Sequence, residues 1–437
     1  MKQPPETGEV ATASSLEGQP ARARGFRSLP RNVWAVTLAS FLTDISSEML
    51  SWLLPFFLSQ TLGAKTAAIG LIEGAAETTA SILKIVSGWI SDRVGHRKWF
   101  AVAGYAISTV SKPFLLLATS WSGVLAIRVG DRFGKGIRTA PRDALLADSV
   151  EPRRRGLAFG IHRAGDTAGA LIGVLIALVA IELSGPEARI LSPAVFRLLV
   201  VLSLLPAALA VIGLALLVRE PRSTRRLSSP DPPSQRPMGR RFWVFVAIMV
   251  VFTLGNSADA FLVLRAQRAG LTLTGVLFMV LMYNLVYSAL SGPAGALSDR
   301  IGRRRVLTAG WVVYGLIYLG FATLSTGRQA FFLMAAYGLY AAMADGVAKA
   351  MVADLVPPQR RGTAFGIFHT SVGLAAMPAS VIAGILWEGV GEWPGWGPSA
   401  PFCWGAGMAA LASILLAVGL PTPGTPPTVS SQGPSSR

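Results

Sequence analysis

"GWISDRVGHRK", Gly88 to Lys98, places an aspartate, two arginines, a lysine and two glycines between two oily segments. "GALSDRIGRRR", Gly295 to Arg305, repeats the pattern 207 positions later. Gly88/Gly295, Ser91/Ser298, Asp92/Asp299, Arg93/Arg300, Gly95/Gly302 and Arg97/Arg304 recur in one register. A polar loop that returns at such a distance marks a chain of two related halves. Gly95 and Gly302 suit a tight turn between helices, because glycine reaches positive φ without a Cβ clash. The aspartates are harder to place. A negative charge at a helix C-terminus opposes the helix dipole, so Asp92 and Asp299 require partners.

The segments around the loops set the class. Of 437 residues, 52% are hydrophobic and 14% charged, with mean hydropathy +0.51. Soluble proteins carry about 25% charged residues. Crossing the roughly 30 Å hydrocarbon layer takes about 20 apolar residues. Twelve stretches read that way: about 32–60, 66–91, 98–119, 121–147, 157–183, 194–218, 242–268, 271–297, 305–325, 329–355, 363–387 and 400–420. Helices are expected, since backbone groups in lipid must be satisfied within the segment and no run alternates as barrel strands do. The fold class is therefore all-α integral membrane, with twelve transmembrane helices in two pseudo-symmetric six-helix bundles.

The formal charge of +17 does not point to nucleic acid, because the basic residues sit in the wrong places. They cluster before the first stretch and after every second one, at Arg93/Arg97/Lys98, Arg153–Arg155, 219–241, Arg300–Arg305 and Arg360/Arg361. The opposite loops hold little beyond Lys65, Arg189 and Arg328. This bias puts both termini and both loops in the cytoplasm, and the expected location is the plasma (inner) membrane. Residues 1–30 lack the apolar core of a signal peptide. The lone Cys403 rules out a disulfide within the chain and argues against a metal cluster. No Gly-rich phosphate loop appears. No cofactor is expected.

Pro, Ser and Arg dominate 219–241, which reads as a cytoplasmic linker. The expected organisation is a polar tail over 1–31, a bundle over 32–218, the linker over 219–241, a second bundle over 242–420 and a tail over 421–437. Further repeats support two halves. "RGLAFGI" (Arg155–Ile161) matches "RGTAFGI" (Arg361–Ile367), and Ala147–Asp148 matches Ala353–Asp354. More weakly, Ser46–Glu48 stands opposite Ser257–Asp259.

On these residues the chain resembles the major facilitator superfamily over roughly residues 32–420. Both loops are similar to that family's signature between helices 2 and 3, with Ile90 for the usual Leu and His96 for the first Arg. "RFGKGIRTA" (Arg132–Ala140) resembles the helix 4 motif, with Arg132 as its arginine. "GDTAGALIG" (Gly165–Gly173) partly resembles the helix 5 motif of proton antiporters, with Ala170 at the position of its Pro. The resemblance implies a transporter rather than an enzyme. It also implies that each loop aspartate meets an arginine and the N-terminus of a helix from the other half, forming a gate of Gly88, Asp92, Arg93, Gly95, Arg97, Gly295, Asp299, Arg300, Gly302 and Arg304.

Ionisable groups within the hydrocarbon layer are costly and by default functional. Asp44 falls near the middle of helix 1, with Glu48 one turn away. Glu73, Glu77 and Lys84 share a face of helix 2. Helix 4 carries Arg128, Asp131, Arg132, Lys135, Arg138 and Arg142, largely on one face. Asp166 lies on helix 5 and Asp259 in helix 7. Two readings stay open: a static network of ion pairs, or acids that couple transport to protons with Arg132 as counter-charge. Asp345 and Lys349, four apart, are positioned to pair with each other. His162 and His369 are too scattered for a metal site. Trp52 and Phe56 face either the cavity or lipid. Gly160, Gly165, Gly169 and Gly173 form a small-residue packing series.

The expected activity is alternating-access transport, as proton-coupled efflux of a small molecule or as uptake or exchange of an anionic solute; a transporter-like receptor is a third reading. The expected partners are the solute, protons and the lipid bilayer, with the protein a monomer.

Overall fold

A computed structural model describes residues 28–51, 53–54, 57–64, 66–183, 193–220, 238–257 and 259–420. Most of the polar tails and linker, together with Trp52, Phe56, Lys65 and Arg189, lies outside the described residues.

The regular elements are helices. The first half comprises α1 (Arg31–Ser51), α2 (Thr66–Val94), α3 (Arg97–Ser111), α4 (Trp121–Asp148), α5 (Arg155–Glu182) and α6 (Pro193–Leu217). The second comprises α7a (Arg240–Gly255), α7b (Ala260–Arg268), α8 (Leu273–Ile301), α9 (Arg303–Ala322), α10 (Gly327–Leu355), α11 (Arg361–Glu388) and α12 (Ala400–Gly419). With α7a and α7b taken as one interrupted span, this is the twelve-helix, two-bundle membrane architecture. Among the described residues seven helices are individually long and apolar enough to cross a bilayer. The helices α1, α2 and α4 are not among these seven, and they carry several of the interior charges, as α5 and α10 also do.

Three spans expected to be unbroken helices are interrupted. After α1 ends at Ser51, a π-turn runs over Phe57–Thr61. A 3₁₀ turn, Lys112–Leu117, finishes α3. The seventh span parts at Asn256, where Tyr314 and Tyr337 hydroxyls each donate to Asn256 Oδ1 at 3.4 Å. Short polar side chains such as Asn and Asp compete with the helical backbone, and mean hydropathy does not register that competition.

The halves meet where α5 crosses α8 and α2 crosses α11. These crossings are backbone to backbone. A Cβ on Gly88 would lie 2.2 Å from the carbonyl oxygen of Gly362, and one on Gly295 2.1 Å from that of Gly156. Gly160 meets Ser291 in the same way, while Gly165, Gly169 and Gly173 seat α5 against Thr37, Phe41 and Ile45 of α1. The expected packing series is therefore split between two neighbours. Much of the second half's core is aromatic, with Trp311, Tyr314, Tyr318, Phe321 and Phe402 fully buried.

Candidate functional site

Both repeated loops lie at one end of the molecule, here called the basic end. The turns use Gly95 at φ +73° and Gly302 at φ +98°. Asp92 closes α2 and reaches the start of α11, where its carboxylate accepts from Gly362 N (2.9 Å), Thr363 N (2.7 Å) and Thr363 Oγ1 (2.8 Å). Asp299 closes α8 and reaches the start of α5, accepting from Gly156 N (3.0 Å) and Leu157 N (2.8 Å). A helix N-terminus leaves backbone N–H groups unpaired and carries positive potential, so it suits a carboxylate. Each aspartate thus trades an unfavourable helix end for a favourable one.

Arginines complete both clusters. Arg97 is fully buried; it pairs with Asp92 at 3.1 Å and with Asp148, and donates to the Pro358 carbonyl at 2.6 Å. Arg303 pairs with Asp299 and with Asp354 at 3.1 Å, and donates to the Pro152 carbonyl at 2.9 Å. The loop alignment equates Arg97 with Arg304, and the structure corrects this. Arg304 donates to the Leu420 carbonyl at 2.8 Å, and Arg303 holds the place of Arg97. The cause is geometric: Arg97 and Arg303 are each the first residue of their helix, but one turn is a residue longer. Arg93 packs on Trp89.

The other internal repeat turns out to pair with itself across the halves. Asp148 meets Arg361, and Asp354 meets Arg155 at 2.5 Å. These four residues were matched in the sequence without a role. Their recurrence at equal spacing was the available signal.

Toward the middle of the bundles lies a cavity of about 350 Å³. Its first-half lining is wholly polar: Asp44, Lys84, Lys135, Arg138, Thr139, Arg142, Arg163 and Asp166. The second half supplies Phe252, Trp311, Tyr340 and Phe368, together with Asn256, Asp345, Lys349 and His369. Six basic side chains therefore face three carboxylates. Behind this lining Asp143, fully buried, joins the halves. It takes Arg142 Nη2 at 3.0 Å and, from the other half, His369 Nε2 at 2.8 Å and Lys349 Nζ at 3.3 Å. A second junction pairs Arg163 with Asp345 at 2.9 Å and with Tyr287.

Asp345 and Lys349 therefore do not pair with each other. Each takes a partner in the opposite bundle. His162 contacts Ser40 at 3.1 Å and lies 3.5 Å from Asp166.

Of the acids singled out in the sequence, Asp44 and Asp166 line the cavity, whereas Glu48, Glu77, Asp131 and Asp259 are not in its lining. Glu77 pairs with Lys84 at 3.4 Å and is half-exposed. Arg128 and Asp131 lie 3.8 Å apart farther along α4. Arg132 likewise stands off the cavity, where Lys135, Arg138 and Arg142 of the same helix replace it. Glu48 sits on α1 outside the lining, and the side chain of Glu73 lies outside the description. Asp259 precedes α7b and accepts from Tyr337 Oη at 3.1 Å. Sequence reasoning missed Asp143, hidden beside Arg142, and it missed the aromatic wall.

A family model described as the Major Facilitator Superfamily matches residues 36–282 and 244–436. An uncharacterized MFS-type transporter of Methanocaldococcus jannaschii is 36% identical, with 89% of this chain and 95% of that one covered. A probable 4-methylmuconolactone transporter of Cupriavidus pinatubonensis is 25% identical over 83% of this chain and 84% of its own. Among solved structures, the E. coli fucose:proton symporter superposes with TM-score 0.73 at 13% identity, covering 88% of this chain and 97% of that one.

Proposed function

Because this chain belongs to the major facilitator superfamily, we propose that it carries a small anion across the membrane by alternating access. One observation supports that reading above the others: six basic groups line the central cavity, and with the adjoining Glu77 and Asp143 counted beside Asp44, Asp166 and Asp345 one positive charge remains over. Charge enclosed in a membrane protein is costly unless something compensates it, and an anionic solute would compensate this excess. Four of the six already hold carboxylates, namely Lys84, Arg142, Arg163 and Lys349. Lys135 and Arg138 form no ion pair among the described residues, and Arg138 is fixed by Ser108 at 2.9 Å and by the ring of Tyr105. They are the anion's docking pair.

Asp44 and Asp166, on the same cavity, are the sites of proton coupling; a carboxylate there exchanges a basic partner for a proton as the solute arrives. The loop latches are the gate. They hold the basic end shut, and their release opens the cavity to that side, which the charge bias assigns to the cytoplasm. Proton-coupled efflux of a small molecule is the second reading, supported by the same two carboxylates and by the partial helix 5 motif.

The test is labelled-anion uptake into proteoliposomes. Lys135→Gln and Arg138→Gln should each reduce it at least 10-fold without loss of folded protein. Undiminished uptake in both variants would contradict the proposal.

A further inference from the structure

Which anion the cavity takes follows from how unequally its two walls are built. The first-half wall contains no apolar side chain, whereas the second-half wall carries Phe252, Trp311, Tyr340 and Phe368 among aliphatic and polar residues. Phe252 stacks on Trp311 with centroids 4.7 Å apart and planes 11° from parallel, and Tyr340 closes the row 6.0 Å from Phe252. The row is held rigidly: Tyr314 lies 5.1 Å from Phe252 and 4.8 Å from Tyr340, and Tyr337 lies 5.2 Å from Tyr340. Six of the chain's seven tyrosines stand in this second-half cluster, and the seventh, Tyr105, lies under Arg138.

A wholly inorganic anion would leave such a wall without use. An apolar solute would leave Lys135 and Arg138 without an ion-pair partner among the described residues. We infer that the solute is a planar aromatic carboxylate, its carboxylate on Lys135 and Arg138 and its ring on Phe252 and Tyr340, with the fully buried Trp311 backing Phe252. This rests on the anion reading above and narrows it. Aromatic contacts prefer ring partners over saturated ones of equal area, so the wall supplies ring selectivity while the basic pair supplies charge selectivity. Asn256, on the same cavity at the break in the seventh span, has its Oδ1 taken by tyrosine hydroxyls and would donate its Nδ2–H to an oxygen substituent on the ring.

The experiment is calorimetric titration of the purified full-length protein with matched probes. Benzoate, phenylacetate and indole-3-carboxylate are set against cyclohexanecarboxylate, acetate, phosphate and benzamide. At least one aromatic acid should bind about 2- to 10-fold more tightly than cyclohexanecarboxylate, and benzamide should not bind. Phe252→Leu and Tyr340→Leu should erase the aromatic preference while retaining acetate affinity, and Arg138→Gln should lose every carboxylate. Equal affinity for the aromatic and saturated acids, or binding of phosphate or acetate alone, overturns the aromatic assignment and leaves anion transport standing. If no anion in the panel binds, both fall. The comparison of probes on the unmodified protein decides the matter even where a variant fails to fold.

Discussion

Replacing Asp92 with alanine should unlock the basic end. In the closed state its carboxylate holds three donors at the start of α11 and pairs with Arg97 at 3.1 Å, and its side chain is only 7% exposed. Hydrogen bonds to a charged group contribute about 1.5–3 kcal/mol each. In the open state water replaces them, so the sum is not the loss. Breaking one buried pair costs about 3–5 kcal/mol. Arg97 keeps Asp148 and the Pro358 carbonyl, which points to the lower figure. A shift of about 3 kcal/mol changes the closed-to-open ratio roughly 150-fold. Electron–electron resonance between spin labels at Arg93→Cys and Arg305→Cys, in a Cys403→Ser background, reads the distance across that end; both sites are exposed, one in each half. The distribution should move to longer distances in Asp92→Ala, with a smaller move in Asp92→Asn, whose amide oxygen still accepts. Asp299→Ala should act alike, and the two should add. An unchanged distribution in folded Asp92→Ala would refute the latch.

Gly88→Ala or Gly295→Ala must push apart helices that meet near 2 Å from the added Cβ; transport should fall more than about 10-fold in an uptake assay while expression persists. Arg303→Ala should open the basic end as Arg97→Ala does, whereas Arg304→Ala should stay within about 2-fold of the parent in uptake, because it reaches only the Leu420 carbonyl among the described residues. Asp143→Asn leaves Arg142 and Lys349 buried without their carboxylate; a thermal-shift assay should register a loss of about 3–5 kcal/mol, against a smaller loss for His369→Gln. Asp44→Asn should flatten the pH dependence of uptake while leaving solute binding by calorimetry in place.

The architecture was legible because it is written in long-range composition. Apolar length gave the helices, and the doubled loop gave the halves. The individual partners were not, because each latch joins residues 142 to 271 positions apart and the sequence holds no measure of that proximity. Asp148 and Asp354 illustrate the limit. Their matched spacing was visible, but not that each would find the arginine of the other half. Arg303 was passed over because alignment on the loop glycine counts residues, whereas the latch depends on which residue begins the helix. The break in the seventh span is hard to read from hydropathy because the polar stretch Gly255–Asp259 is short and flanked by long apolar runs. The spacing of the charges on α4 marks a cationic stripe, but only packing decides which part of it meets the cavity: Lys135, Arg138 and Arg142 do, and Arg132 lies outside that part.

The central claim is that this cavity moves an anion. Counterflow decides it: proteoliposomes loaded with an unlabelled aromatic carboxylate are diluted into labelled carboxylate, and parallel vesicles receive a labelled organic cation. Transient accumulation of the carboxylate, absent in Arg138→Gln, is the predicted result. Accumulation of the cation with none of the carboxylate would contradict it.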